Sequence, residues 1–451
     1  MSWLRLSHVN EMINGTMHGI DVALDGVFTD TRKANSKGLF FALPGPNFDP
    51  HDFLHTACDS VAAALVVNRR IDHPAPQIVV PDTYRALSEL AGVWRQSFSG
   101  PVVGLTGSNG KTTLKEMLAS ILRTQGEVLV TEGNLNNHIG VPLTLLGMRD
   151  EYQYAVVEMG ANKPGDIAEL TALVRPDVAI ISNAAAAHLE GFGSVENVAA
   201  CKGEIFDGLD INGLAVINKD DQYSDFWQWL ARSYRISTFG EAAGADIKIE
   251  GFQPATFRCF DKVSSANLKL KGRHNVKNAA AAIAAAAGLG VPIRDAIAGL
   301  QNMQAVAGRL MSSAGPLNSQ IIDDSYNANP GSMRAAIEVL ADESGYKILV
   351  MGDMAELGDD AKSLHKEIGE FAGQAKIDLL LTYGDFAAIA GSAFSGETVH
   401  FSSHQALAEK LLEHIEGAVV LVKGSRSAQM EKVIEALRAE QSTHGESGYA
   451  A

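Results

Sequence analysis

The sequence predicts an α/β protein of three domains, each built from strands alternating with helices. Three observations carry that expectation. Apolar runs such as PVVGLTG, YAVVEMG, VAIISN and LAVIN are continuous, as in strands buried on both faces of a parallel sheet. Helix-length segments separate them, and the alternation returns in the last third with QIIDDSY, KILVMGD, LLLTYG and AVVLVKG. The length, 451 residues, suits two to four domains of ordinary size.

Along the chain, the first domain is placed at residues 1–82, where β-like runs (GVFTDTR, GLFFALPG, AAALVV, QIVV) alternate with helical stretches. Pro81 and Asp82 punctuate the sequence, and the segment TYRALSELAGVWRQSF after them is expected to be a helix. The second domain is placed at 83–312. Its first strand leads into a glycine loop and then a helix from about Thr112 to Arg123. Its longest apolar stretch, Ala279 to Ile293, is mostly alanine and too short to span a bilayer, so it reads as a buried helix. The third domain is placed at 313–451.

Hydrophobic residues make up 46% and charged residues 20%, which fits a globular enzyme rather than a disordered chain. The formal net charge of −16 disfavours nucleic acid and anionic membrane as partners. Any anionic substrate must then be held by local cations, backbone N–H groups or a metal ion. Cys58, Cys201 and Cys259 are odd in number and widely spaced, so neither a disulfide framework nor a CxxC pair is expected. The N-terminal segment MSWLRLSHVNEM has no basic region followed by an apolar core. A cytoplasmic, monomeric protein is the expectation.

The motif with the most specific chemistry is GLTGSNGKTT, residues 104–113, seated between an apolar strand and a helix. Glycines there let backbone N–H groups turn inward around phosphate oxygens, and the helix N-terminus adds partial positive charge. Lys111 is expected to reach the terminal phosphates and Thr112 to offer its hydroxyl to Mg²⁺. The loop is a variant, because Leu105 stands where the usual pattern has its first glycine. Glu158 ends the strand AVVE, and a carboxylate at that end of a parallel strand faces the ligand crevice, where it can serve Mg²⁺. His188 and Lys202 carry no such signal by themselves: a lone histidine is usually a satisfied or solvated residue, and a lysine in CKGEIF reads as a surface group.

Taken together, the motifs resemble the Mur ligase family. GLTGSNGKTT resembles its ATP loop, VVEMGAN its metal-binding glutamate segment and NAAAAHLEGFGSVENVAACKGEIF its histidine and lysine segment. GRHNVKNAAAA, AGRL and DDSYNANP continue the series in the family's order, and the match runs from about residue 29 to residue 431. The resemblance implies a small N-terminal α/β uridine-nucleotide domain, a central P-loop ATPase-like parallel-sheet domain and a C-terminal Rossmann-like α/β domain. DDSYNANP and GDMAELG are similar to members that add D-alanyl-D-alanine to UDP-N-acetylmuramoyl-tripeptide, with ATP as co-substrate and Mg²⁺ as cofactor.

Residue by residue, the resemblance implies an ATP site of Gly107, Ser108, Asn109, Gly110, Lys111, Thr112 and Thr113, with Asn275 and Asn278 lining the nucleotide site and Asn275 near the adenine. Arg309 would contact the phosphates and Asp324 the ribose side. Thr112, Glu158 and His188 would hold metal, joined by Lys202 after carbamylation, which turns an ammonium into a carboxylate-like ligand. Asp30, Thr31 and Arg32 match the uridine segment, and Asn134 and Asn137 a loop facing the muramoyl-peptide. Tyr326 and Asn329 would face D-alanyl-D-alanine. A sister ligase or folylpolyglutamate synthase adding one amino acid is the nearest alternative, and a nucleotide-binding regulator without ligase activity is the second. A P-loop kinase leaves NAAAAHLEGFG and GRHNVKN unexplained.

Overall fold

The computed structural model describes residues 4–33, 35–54, 62–186, 189–304 and 306–445. Cys58 and His188 lie outside the described residues. Three substantial sheets run in chain order. The first has five strands in the order Thr16–His18, Gln77–Val79, Ala62–Val67, Asn35–Phe41 and Val27–Phe28, parallel except for Thr16–His18.

The second sheet has nine strands. Six lie side by side and parallel, in the order Val128–Val130, Tyr154–Glu158, Val102–Thr106, Val178–Ile181, Leu214–Asn218 and Arg235–Gly240. Ile247–Phe252 joins them in parallel, and Ala255–Cys259 and Lys262–Ala266 extend the edge antiparallel. The third sheet has six strands, with Gln320–Asp324, Val419–Lys423, Lys347–Gly352, Leu379–Tyr383 and Glu397–Phe401 parallel and Met311–Ala314 antiparallel at one edge. The parallel α/β architecture predicted from continuous apolar runs is present. The antiparallel edge strands were not anticipated: their polar, half-exposed pattern gives no such run, and Val263 and the turn residue Phe260 face solvent.

Successive side chains of a strand point to opposite faces, and the core divides accordingly. On one face of the second sheet, Val102, Val157 and Ile181 join helix Thr83–Arg95 and Leu39 and Phe41 of the first sheet in one apolar cluster. On the other, Val103, Leu105 and Ile180 pack under helices Lys111–Leu122 and Arg273–Gly288. Asp82 caps helix Thr83–Arg95 by accepting from the backbone N–H groups of Tyr84 and Arg85.

The alanine run is a buried helix as expected, but it stops at Gly288. Gly290 at φ +84° and Pro292 turn the chain into a second helix, Ile293–Asn302. The alanines between 279 and 286 are buried almost completely, small enough for this helix to approach its neighbours closely. Among the described residues no helix is long and apolar enough to cross a membrane.

Two helical glycines make opposite predictions. A Cβ on Gly299 would sit 2.5 Å from the Ile121 Cα, a backbone atom that cannot step aside, whereas one on Gly92 would meet only the Leu173 side chain at 3.4 Å. Alanine gains about 1 kcal/mol over glycine in a helix, but forced overpacking costs about 1–3 kcal/mol. Gly299→Ala should therefore lower the denaturant midpoint and Gly92→Ala should raise it; equal shifts in both variants would refute the packing described here.

Candidate active site

Parallel strands deliver their C-terminal ends to one edge, and the functional side chains gather there. Strand Val102–Thr106 runs into the loop 107–110, and helix Lys111–Leu122 begins directly after it. Gly110 adopts φ +79°, and a Cβ there would lie 2.7 Å from the Asn278 Oδ1. At Gly107 a Cβ would lie 1.8 Å from the Ser182 Oγ. Glycine is required at both. Leu105 needs no such freedom, because it lies inside the strand and is fully buried.

The loop is held from the neighbouring strand end. Ser182 Oγ donates to the Asn109 carbonyl at 2.9 Å, Ser108 N–H to the Asn183 carbonyl at 3.0 Å and Asn109 N–H to the Asn183 Oδ1 at 2.9 Å. Lys111 folds back and donates to the Gly107 carbonyl at 2.7 Å. Burial lowers its pKa, with the Glu158 carboxylate opposing that shift and the Arg309 guanidinium adding to it.

Glu158 ends strand Tyr154–Glu158 and is 1% exposed. Its Oε2 accepts from the Thr112 hydroxyl at 3.1 Å and its Oε1 from the Asn136 amide at 2.8 Å. Asn136 is a contact that sequence reasoning missed: it stands between the two asparagines singled out, with nothing to distinguish it in TEGNLNNHIG. Asn134 and Asn137 line the same cavity, but the Asn137 Oδ1 is occupied in accepting from the backbone N–H groups of Ile139 and Gly140 at the start of helix Gly140–Leu146.

The hydroxyl of Thr112 beside a buried carboxylate suits Mg²⁺, which takes few protein oxygens and keeps water and phosphate oxygens in its shell. Among the described residues no group of three or more His, Cys, Asp or Glu side chains forms a larger cation site. Lys202, on helix Val195–Gly203, is 3% exposed; burial and then the Lys111 charge push its pKa down to about 7.

The third sheet contributes the opposite wall. Asp324 ends its strand and accepts from the Leu310 N–H at 3.2 Å and from the Lys423 ammonium at 2.6 Å. Lys423, 2% exposed, also donates to the Asn327 carbonyl at 2.8 Å. Burial lowers its pKa and Asp324 opposes that shift. Arg309 lies over the Tyr326 ring at 4.1 Å and reaches the Thr112 hydroxyl at 3.5 Å. Asn329 caps helix Pro330–Ala341 in a capping box with Ser332, and its amide donates to the Asn109 Oδ1 at 2.6 Å, tying the third sheet to the phosphate loop.

Asn275 and Asn278 are buried in the first turns of helix Arg273–Gly288, where Asn278 donates to the Asn275 Oδ1 at 3.3 Å. Beside them His274, another residue not anticipated, is pushed down to about 4 by burial.

The resulting cavity holds about 590 Å³ and is lined by Lys111, Thr112, Glu158, Asn275, Arg309 and Asp324 with their neighbours, Ser108 to Gly110, Thr113, Asn278, Tyr326 and Asn329 among them. Asp30, Thr31 and Arg32 do not line it. They form an exposed turn beside the first sheet, where the Arg32 side chain pairs with Asp30 at 2.7 Å.

The Asp324–Lys423 pair makes a stability prediction. Lys423→Met leaves a carboxylate buried without its cation, a change that costs about 3–5 kcal/mol. Adding Asp324→Asn to the same chain should return a large part of that loss, read from the denaturant midpoints of both single variants and the double. Simple addition of the two single effects would show that the pair is not coupled.

A family model described as the Mur ligase middle domain matches residues 105–286, and one described as Mur ligase, glutamate ligase domain, matches residues 308–426. The UDP-N-acetylmuramoyl-tripeptide--D-alanyl-D-alanine ligase of Escherichia coli (strain K12) is 45% identical over 443 residues, 96% of this chain and 98% of that protein. The Bacillus subtilis (strain 168) protein of the same name is 36% identical, again across 96% of this chain and 98% of that protein. Among solved structures, MurF from Acinetobacter baumannii superposes with a TM-score of 0.89 at 36% identity, covering 96% of this chain and 98% of that one. MurF ligase from Thermotoga maritima, in complex with ADP, gives 0.80 at 29% identity over 93% of this chain and 98% of that one. Matched by these two models and by relatives over almost its whole length, the chain belongs to the Mur ligase family.

Proposed function

We propose that this chain is an ATP-dependent amide ligase that adds D-alanyl-D-alanine to UDP-N-acetylmuramoyl-tripeptide in the synthesis of the peptidoglycan precursor. The observation that carries the reading is the single cavity in which the phosphate loop and Glu158 of the second sheet meet Arg309 and the Asp324–Lys423 pair. Relatives named for this reaction match across almost the entire chain.

In the first step a carboxylate oxygen of the tripeptide attacks the γ-phosphorus of ATP. The bond to the β-phosphate oxygen breaks, giving an acyl phosphate and ADP. In the second, the dipeptide amine attacks the acyl carbon and loses a proton as inorganic phosphate departs. Lys111 exchanges the Gly107 carbonyl for a phosphate oxygen, and Arg309, braced on Tyr326, meets the charge from the facing wall. Bound Mg²⁺ would add Lewis-acid charge neutralisation, held by Thr112 and Glu158; His188 is proposed to assist a second ion.

Asn275 and Asn278 are assigned to the nucleotide site, Asn275 near the adenine, and Asp324 to the ribose side. Asp30, Thr31 and Arg32 are assigned to the uridine nucleotide, Asn134 and Asn137 to the muramoyl-peptide, and Tyr326 and Asn329 to the dipeptide. The working units are taken as 1–82, 83–312 and 313–451, acting as a cytoplasmic monomer.

Lys202 is proposed to be carbamylated. A buried amine with a pKa near 7 is substantially neutral at neutral pH and can attack CO₂, forming an N–C bond and releasing a proton. The product places negative charge near Lys111, where an ammonium would face another. ¹³C-bicarbonate should give a carbamate resonance that Lys202→Gln lacks, together with at least about a hundredfold loss of turnover, roughly the scale of removing one electrostatic catalytic group. A wild-type spectrum identical to that of the variant would remove the carbamate from the mechanism.

The pH dependence has a definite sign. The attacking α-amine, with a pKa near ~8, and Lys202 both gain their reactive neutral forms as pH rises. Phosphate release with bicarbonate present should therefore climb between pH 6 and 9, and a flat profile would count against both assignments.

The deciding assay follows phosphate release with Mg·ATP and UDP-muramoyl-tripeptide, D-alanyl-D-alanine being added last and the product weighed. Release that needs all three, with a mass gain of one dipeptide unit, is the expected result. Turnover with a single amino acid instead would identify a sister ligase.

A further inference from the structure

Lys115 lies one turn beyond Lys111 on helix Lys111–Leu122, and nothing in the chemistry above uses it. A lysine in KTTLKEM would ordinarily face water, yet this side chain is 1% exposed. Its ammonium donates to the Thr131 carbonyl at 2.6 Å and to the Gly133 carbonyl at 3.5 Å. It also lies 3.3 Å from the Glu116 carboxylate and 3.9 Å from the Glu158 Oε2.

The loop it holds is tied to Glu158 at two further points. The Thr131 hydroxyl accepts from the Glu158 N–H at 3.0 Å, and the Asn136 amide donates to the Glu158 Oε1. Between these ties the chain from Glu132 to His138 has no helix or strand of its own, and Asn134, Asn136, Asn137 and His138 form part of the cavity wall. Such a segment keeps its shape only through the bonds made to its backbone.

A buried ammonium is a poor device for stability alone, because an apolar side chain of similar volume fills the same space without desolvating a charge. What an apolar side chain lacks is the capacity to donate to two loop carbonyls while sitting beside a carboxylate. We infer that Lys115 is a positioning residue for the acceptor substrate: it fixes the loop 131–137 at a set distance from Glu158, so that the peptide end of the precursor and the phosphate side of the cavity share one frame. The inference rests on the function proposed above.

The test measures two affinities separately by calorimetry, with melting temperature in parallel. Lys115→Met should weaken binding of UDP-muramoyl-tripeptide to the metal-free, nucleotide-free protein by about tenfold or more, a change of about 1.4 kcal/mol. Mg·ADP binding should stay within about threefold of wild type, and in steady state KM for the precursor should rise while KM for ATP holds. A merely structural lysine would lower the melting temperature and leave the ratio of the two affinities unchanged, which overturns the inference.

Should Lys115→Met fail to fold, Lys115→Arg decides. It keeps the charge, but its bulkier head displaces the loop, so the precursor should again weaken selectively; wild-type precursor affinity in that variant overturns the inference. A wild-type protein that binds no UDP-muramoyl-tripeptide sinks the parent function, whereas wild-type binding indifferent to Lys115 sinks this inference alone.

Discussion

The constraint on which the site depends is the need to keep cations at one edge of two parallel sheets in a strongly acidic chain. Each lysine meets that need differently. Lys111 borrows a carbonyl from its own loop, Lys115 takes carbonyls from a neighbouring loop, Lys423 pairs with a carboxylate and Lys202 lies where its charged form is disfavoured. Removing an ammonium from water is costly unless oxygens replace the lost hydration. The backbone around Lys111, Lys115 and Lys423 therefore turns carbonyls toward their ammonium heads.

The two walls of the cavity come from different sheets, and few polar contacts join them at the phosphate end: Asn329 to Asn109 and Arg309 to Thr112. Both involve the phosphate loop or the first turn of its helix. The sequence-distant parts of the site, about two hundred residues apart in the chain, thus meet at the phosphate loop. Glycines at 107 and 110 let the loop itself lie close against Ser182 and Asn278 of its own unit, since a Cβ at either would strike them.

How much of this was legible in the sequence follows from how local each signal is. The strands at 102–106, 154–158, 320–324 and 419–423 announce themselves as uninterrupted apolar runs, and the phosphate loop as a motif between strand and helix. Glu158 was placed from its position at a strand end. Lys115, Asn136, His274 and Lys423 were not legible, because their importance comes from burial that only tertiary packing creates. Lys423 had the strongest available signal, a cation closing the apolar run AVVLVK, where a solvated lysine is the ordinary reading. The hairpin strands between 247 and 266 lacked a continuous apolar run; what marks Ile247–Phe252 and Ala255–Cys259 is alternation, buried Ile247, Ile249, Ala255, Phe257 and Cys259 with more exposed residues between, a weaker signal than an unbroken run. The break after Gly288 was written in GLGVP, yet the alanine run before it masked the turn.

The Lys111–Gly107 contact has a consequence for the reaction cycle. The ammonium is satisfied by a carbonyl of its own loop, so on the function proposed above nucleotide entry would be an exchange of one oxygen partner for another. The same exchange run backwards would let the loop reset when the nucleotide departs, without leaving the buried ammonium unpartnered. On that reading the loop carbonyl competes with phosphate for the same ammonium, a competition that works against retention of the spent nucleotide.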